Sequence, residues 1–432
     1  MKLSGWGRYP VVPAKPLVFH DTDSLARELE QAGTLIPFGN GRSYGDSALA
    51  ERYVSLRPKD RIIDFDESTG LLDCEAGILL SEIIETFLPR GWFLKITPGT
   101  KLVTVGGAIA GDVHGKNHHQ EGCFGNTVES LTLMMADGQI MKCSRTENRE
   151  LFLATCGGMG LTGIILQASF YLKKVFSQTI EQTTIKNKDL EDTFKAFETY
   201  SSSPYSVAWI DCLAQKNCLG RSLLMTGDFI RNGNLNYKSK KRISIPFDFP
   251  VFTLNTKSVR TFNDLYYFRI RDSVSTQKVS VDSFFYPLDA IDQWNRIYGR
   301  KGFLQYQFVL PKAESYPGLK KTLATIAESG MASFLAVLKL HGPCNDNYLS
   351  FPLEGYSLAL DFKMQPGLLD LLNRLDEIVL KHQGRIYLAK DARVSRETFE
   401  QGYPHIDKFR ALRSALGLDK KFRSLQSQRL GI

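Results

Sequence analysis

The chain has 432 residues, 43% hydrophobic and 11% aromatic, with 54 Lys and Arg against 46 Asp and Glu, a formal net charge of +8. That length exceeds one ordinary core and predicts two domains, while no run reaches the ~18–20 apolar residues of a membrane span. The charge suits phosphate-bearing ligands or an anionic membrane surface better than nucleic acid, for which no recognition motif accompanies it.

The N-terminal residues Met1-Lys-Leu-Ser-Gly-Trp-Gly-Arg8 lack the apolar core of a signal peptide. A cytoplasmic protein is expected, with peripheral attachment at the inner membrane left open. Seven scattered cysteines form no C-x-x-C pair, which predicts reduced thiols and neither a disulfide framework nor a zinc site.

Residues 5–20 read as an extended lead-in. Asp23 to Ala32 reads as a helix capped by Thr22 or Asp23, with Leu25 and Leu29 on one face. Short strands are expected at 35–38, 53–56, 62–65 and 71–76, and an amphipathic helix at 80–88. The stretch Thr97 to Asn126 follows, with glycines at 99, 106, 107, 111, 115, 122 and 125 interleaved with Val, Ile and Ala. Buried glycine allows unusual φ and close backbone approach, so a large, flat or extended ligand is expected against this backbone. Tightly packed strand turns are the plainer account, but a turn needs one or two glycines. Strands at 128–135 and 140–143 flank Asp137-Gly138, a hairpin signal. A short helix at 150–155 and a strand at 161–172 complete the glycine-dense half.

Beyond Lys173 the pattern changes. A helix is expected at 189–200, and strands at 206–210, 219–227, 279–286, 304–310, 334–340 and 357–362. Helices at 288–298, 314–329 and 366–382 are interposed, and a strand covers 385–390. This order predicts a large, mostly antiparallel sheet with flanking helices. Residues 231–271 combine Lys238-Ser-Lys-Lys-Arg242 with Phe247, Phe249, Phe252, Phe262, Tyr266, Tyr267 and Phe268. A solvated basic loop is one reading and a membrane interface another.

Gly39-x-Gly41-x-x-x-Gly45 follows an apolar strand; its backbone N–H groups, or Arg42, suit a pyrophosphate. It is neither a G-x-G-x-x-G nor a P-loop. With the clusters at 99–115 and 157–163 it fits one long ligand with a phosphate centre, as a dinucleotide has. His114 alone reads as a core histidine; beside Lys116 at the end of the glycine stretch it becomes a site candidate. His118 and His119 are adjacent and point apart. Gln305 and Gln307 share one strand face, where two amides need partners such as sugar hydroxyls. Lys339 and Lys390 each interrupt an apolar strand: either they snorkel, or they meet phosphate or act as a buried amine.

Gly39-Asn-Gly-Arg-Ser-Tyr-Gly-Asp46, Thr104-Val-Gly-Gly-Ala-Ile-Ala110, His114-Gly-Lys-Asn-His-His119 and Gly160-Leu-Thr-Gly-Ile-Ile165 resemble the flavin domain of the vanillyl-alcohol-oxidase/PCMH family. Gly302-Phe-Leu-Gln-Tyr-Gln-Phe-Val309 and Ala389-Lys-Asp-x-Arg393 extend the likeness, within that family, to the branch that oxidises a lipid-linked ribose phosphate. The resemblance implies an α+β chain. A PCMH-type FAD-binding domain of two subdomains would cover 1–172, a substrate domain 173–385, and a C-terminal segment 386–432 would return to the FAD domain. It implies FAD contacts at Pro37, Phe38, Gly39, Asn40, Gly41, Arg42, Ser43, Tyr44, Gly45, Asp46 and Ser47. Further contacts would come from Gly99, Thr104, Val105, Gly106, Gly107, Gly111, Asp112, Val113, His114, Ile165 and Tyr387. Tyr44, Lys116, Trp209, Gln305, Gln307, Lys339 and Ser357 would face substrate, with Lys390 and His114 the catalytic candidates. Where the branch has a cysteine beside the flavin this chain has Ala359, and Phe285 and His341 replace a tyrosine and a phenylalanine. Relatives that bind FAD covalently use a histidine in the first glycine loop; Ser43-Tyr44 stand there, so non-covalent FAD is expected.

The expected reaction is FAD-dependent oxidation of the 2′-hydroxyl of a polyprenyl-phospho-β-D-ribose, with Lys390 or His114 as base. It would be the first half of epimerisation to an arabinose lipid for cell-envelope glycans, with a separate NAD(P)H-dependent keto-reductase as partner. A soluble alditol or aldonolactone oxidase using O2 is the alternative, and a flavin-binding subunit without turnover a further one.

Overall fold

The computed structural model describes residues 1–239, 242–250 and 252–432. Lys240 and Lys241 of the basic run thus lie outside the described residues.

The first half holds two sheets. Lys15–Leu17, Arg52–Ser55 and Ile36–Phe38 form a parallel three-stranded sheet with Arg52–Ser55 in the middle. The second is antiparallel in the order Ile140–Ser144, Val128–Met134, Ile164–Lys174, Leu71–Glu75, Ile62–Asp66, and Trp92–Leu94 extends it along Ile164–Lys174. Gly138, at φ +80°, supplies the positive φ that the tight turn between its first two strands needs. The helix Thr22–Gln31 starts one residue earlier than its sequence suggests, because Asp21 rather than Thr22 or Asp23 accepts from Ser24 N at 2.7 Å.

Residues 179–386 build one antiparallel eight-stranded sheet. Its order is Val274–Ser280, Thr179–Asn187, Ser222–Phe229, Tyr205–Ile210, Ala336–His341, Gly355–Lys363, Phe303–Pro311, Arg385–Ile386. Helices Leu190–Thr199, Lys312–Ser329 and Leu368–Lys381 pack against these strands. Alternation along Phe303–Pro311 sorts its side chains. Tyr306 turns to the helices and donates to Asp376 Oδ1 at 3.0 Å, while Gln305 and Gln307 turn to the other face.

Several expected elements differ. Val274–Ser280 ends where Ser280 caps the short helix Val281–Phe285, so 279–286 is not one strand. The helix expected over 288–298 is two 3-10 turns separated by the strand Ile291–Asp292 and by Gln293 at φ 56°. The strand over 385–390 stops at Ile386, after which Lys390 N bonds Tyr387 O at 3.0 Å. Thr179–Asn187 is a strand despite its polar composition, because it pairs on both sides. Thr256–Phe268, rich in aromatics that favour strands, is a helix capped by Asn255.

The central glycines serve close approach more than unusual φ. Of the seven, Gly122 alone has positive φ. Val105–Ala110 is a helix, with Thr104 Oγ1 accepting from Gly107 N at 3.1 Å. Gly106 lies where a Cβ would be 3.2 Å from Ala76, and Gly115 where one would be 2.8 Å from Thr97 O. Close approach, not backbone freedom, requires these glycines.

The C-terminal residues lace onto the first half. Leu35 bonds Lys421 O and receives Arg423 N, both at 2.9 Å. Buried Arg413 donates through Nε to Leu161 O at 3.0 Å. Gly45 is flush against this segment: a Cβ there would sit 1.7 Å from Asp391 O. Gly45→Ala is therefore expected to destabilise the fold by about 3 kcal/mol, read as a fall in the urea midpoint. Gly33→Ala, whose Cβ meets nothing within 4 Å, is the control and stays within about 0.5 kcal/mol of the parent.

Candidate active site

One cavity of ≈ 390 Å³ runs from the first glycine loop to the face of the large sheet. Pro37 to Tyr44, Ser47, Gly99, Thr104, Gly106, Gly107, Gly111, Val113 and Ile165 line its first-half side, and Tyr387 reaches it from the C-terminal segment. Tyr387 donates to Gly111 O at 2.7 Å. Trp209, Gln305, Gln307, Lys339 and Ser357 line the sheet side, and Tyr44, His114, Lys116 and Lys390 lie among them.

Four residues expected at the cofactor are turned elsewhere. Gly45 packs on Asp391 as described. Asp46 is buried and pairs with Arg429 Nη2 at 2.8 Å; burial raises its pKa to about 6. Val105 is fully buried, with its N–H on Ile78 O. Asp112, at φ 37°, accepts from Gly125 N, Asn345 Nδ2, Asn347 Nδ2 and Ser350 Oγ at 2.6–2.9 Å. It ties the glycine stretch to the 345–350 loop.

The first-half side fits a dinucleotide. Gly39 and Gly107 line the cavity as bare backbone and pack closely on Thr104, where a Cβ would lie 2.5 and 3.0 Å from Thr104 Oγ1. Arg42 lies over the Trp6 ring at 4.1 Å, and its buried Nε has no partner among the described residues. Burial lowers its pKa, and Asp289 opposes the shift. Gly158-x-Gly160-x-x-Gly163 has nucleotide-fingerprint spacing but leads into the strand Ile164–Lys174 rather than a helix, so the context of a Rossmann unit is missing.

The sheet side is built by register. Gln305 pairs with Asp361, and Gln307 with Ala359; Lys339 pairs with Ser357. Gln307 Nε2 donates to Ser357 Oγ at 3.1 Å and lies 3.0 Å from His114 Nε2. Because that amide nitrogen only donates, His114 Nε2 accepts and Nδ1 carries the hydrogen. His114 Nδ1 has no partner among the described residues. Burial first, then Lys339, His118 and Lys390, push the His114 pKa well below its ordinary value, so the ring is neutral.

His341 lies between His114 and His118, edge-on to the first and tilted to the second, at centroid distances of 4.8 and 4.6 Å. His118 Nδ1 accepts from Gly342 N at 3.1 Å, whereas His119 Nε2 meets Ser203 O at 2.9 Å. The adjacent pair thus points to different partners.

Burial pushes Lys116 down to about 7 and Lys339 down to about 8. Lys116 lies 4.4 Å from the centre of the Phe284 ring and donates to Phe284 O. Lys390 Nζ sits 3.8 Å over the Tyr44 ring. Burial lowers its pKa, Asp361 opposes the shift and Lys339 adds to it.

Asp361 is the residue that sequence reasoning missed. It is fully buried and accepts from Gln305 Nε2 at 2.5 Å and Tyr298 OH at 3.2 Å. Burial raises its pKa. A lone carboxylate within Tyr356-Ser-Leu-Ala-Leu-Asp-Phe362 is the same signal that singled out Lys339 and Lys390.

A family model described as an FAD binding domain matches residues 17–144. Decaprenylphosphoryl-beta-D-ribose oxidase of Mycolicibacterium smegmatis is 35% identical over 448 residues, spanning 99% of this chain and 97% of that protein. An uncharacterised protein of Streptomyces coelicolor is 30% identical across 82% of this chain and 100% of its own length. L-gulonolactone oxidase of Scyliorhinus torazame is 32% identical, but over 33% of each chain. Likeness to that lactone oxidase is thus confined to a third of each chain.

Competitive acetylation of lysines across pH tests the electrostatics of the cavity. Lys390 is expected to react with a midpoint below that of exposed lysines. In Asp361→Asn the midpoint falls further, because the carboxylate that favours the ammonium is gone. An unchanged midpoint would remove Asp361 from the account of Lys390.

Proposed function

The chain belongs to the decaprenylphosphoryl-β-D-ribose oxidase family, and from that premise we propose that it oxidises the 2′-hydroxyl of a polyprenyl-phospho-β-D-ribose to a 2′-keto sugar lipid. It is an FAD-dependent oxidoreductase. The observation that carries the substrate reading is the sheet side of the cavity. Lys116 and Lys339 suit a phosphoryl group, and the amides of Gln305 and Gln307 suit ring hydroxyls.

The glycine-lined backbone at Gly39 and Gly107 and the unpartnered Arg42 Nε would hold the FAD, which when bound supplies the hydride acceptor. The attachment is non-covalent in this reading, since Gly39-Asn-Gly-Arg-Ser-Tyr-Gly-Asp-Ser47 offers neither histidine nor cysteine. Acid precipitation should then release all of the flavin into the supernatant; colour retained in the pellet would contradict it.

Lys390 serves as the base. A buried amine with a lowered pKa is partly neutral near pH 7 and takes the hydroxyl proton. The ammonium so formed is stabilised by the Tyr44 ring face and by Asp361. His114 has a different task. With Nε2 occupied by Gln307, it presents an N–H and orients what lies beside it. Lys116 and Lys339 gain protons when a phosphoryl anion arrives, because an opposite charge restores the ammonium form. The resulting ketone would pass to a separate NAD(P)H-dependent reductase.

Anaerobic mixing with the lipid-linked ribose phosphate is expected to bleach the oxidised flavin band. Free alditols and aldonolactones are expected to leave it unchanged, and the reverse pattern would favour a soluble sugar oxidase. Lys390→Met should lower kcat by about 100-fold or more while flavin is retained.

A further inference from the structure

Helix Thr256–Phe268 has three distinct sides. Val259, Asn263 and Tyr267 are buried inward. At ~100° per residue, Leu265 and Phe268 form the opposite crest, and they are 70% and 61% exposed. Phe252, 77% exposed, precedes the helix, and its carbonyl accepts from the cap residue Asn255 at 2.8 Å. Water is a poor solvent for such a row of apolar side chains, and contiguous exposure of this kind marks an interaction surface.

The flanks of the crest are basic. Lys257, Arg260 and Arg271 are exposed, Arg269 lies 3.8 Å over the Tyr266 ring, and Asp264 is engaged by Arg221. The third side leads inward. Phe262, 41% exposed, stacks on Tyr266 with centroids 5.7 Å apart, and Tyr266 lies 4.8 Å from Trp209. Tyr266 and Trp209 both line the cavity. An apolar track thus connects the exposed crest with the place where substrate is expected.

We propose that the crest of helix Thr256–Phe268 docks the protein on an anionic phospholipid surface, and that Phe262, Tyr266 and Trp209 pass the lipid part of the substrate from that surface to the cavity. The second clause rests on the function proposed above; the first does not. A cavity of ≈ 390 Å³ that must also take a flavin leaves no room for a long polyprenyl chain. The chain therefore needs an apolar medium at the cavity mouth. Leu265 and Phe268 insert at the headgroup boundary, and the flanking cations meet the anionic headgroups.

Co-sedimentation of the flavin-loaded protein with vesicles tests this. Binding is expected to vesicles carrying phosphatidylglycerol and to be weaker with phosphatidylcholine alone. High salt is expected to reduce it. The double substitution Leu265→Glu, Phe268→Glu should cut binding by about tenfold or more without changing thermal stability or the flavin spectrum. It should also slow turnover of the long-chain lipid presented in vesicles, while sparing a water-soluble short-chain phosphoribosyl lipid. A wild-type protein that ignores anionic vesicles, or a double variant that binds as well as the parent, overturns the docking. So does a wild-type dimer that the substitutions convert to monomer without any vesicle binding, since a second copy then covers the crest. If the short-chain lipid is not turned over even by the wild type, the proposed reaction fails while the vesicle result still decides the docking.

Discussion

Unpaired positive charge in a buried cavity is the constraint on which the site depends. Lys116, Lys339 and Lys390 converge there, and none forms an ion pair among the described residues. Burying a cation is costly, so each amine is drawn towards its neutral form, and His114 is neutral among them. The structure tempers this with small devices: a backbone carbonyl and a ring for Lys116, a ring for Lys390, and the carboxylate of Asp361 behind Gln305. Such a cavity favours an anionic ligand, because a phosphoryl group restores the charge balance that folding leaves incomplete.

The scaffold makes that constraint tolerable by over-determining the walls. One face of the large sheet is clamped by three helices. On the other face, strict alternation holds Gln305 and Gln307 in one row and Lys339 opposite Ser357. The remaining wall is backbone brought close by glycine. The C-terminal segment closes it, with Asp391 against Gly45 and Arg429 bridging Asp46 and Asp391. Asp112 does the same for the second glycine stretch. Residues conspicuous as cofactor candidates thus hold the wall from behind.

Much of this was legible in the chain. The glycine density between Thr97 and Asn126, the interrupted apolar strands around Lys339 and Lys390, and the two amides on one face all carried chemistry through residue type and spacing. Large antiparallel strands were legible because alternation and β-branched content report burial directly. Elements governed by a local cap or by partners distant in sequence were not. Ser280 converts a strand-like run into a helix, Asn255 starts a helix in an aromatic-rich segment, and Thr179–Asn187 becomes a strand only through its two neighbours.

Residue types and spacing pointed to a phosphate-centred flat ligand against glycine-lined backbone, and placed lysines and amides in apolar strands. Residue chemistry and period suffice for that. Tertiary structure alone decided which of these groups share one space and which way each faces. Asp361 acquires its role from cross-strand register with Gln305, and His114 acquires its tautomer from Gln307, 193 residues away. Asp46 and Asp112, which the family resemblance places at the cofactor, have carboxylates held by partners distant in sequence. A charge answers to whatever packs against it, and that is fixed only when the chain closes on itself.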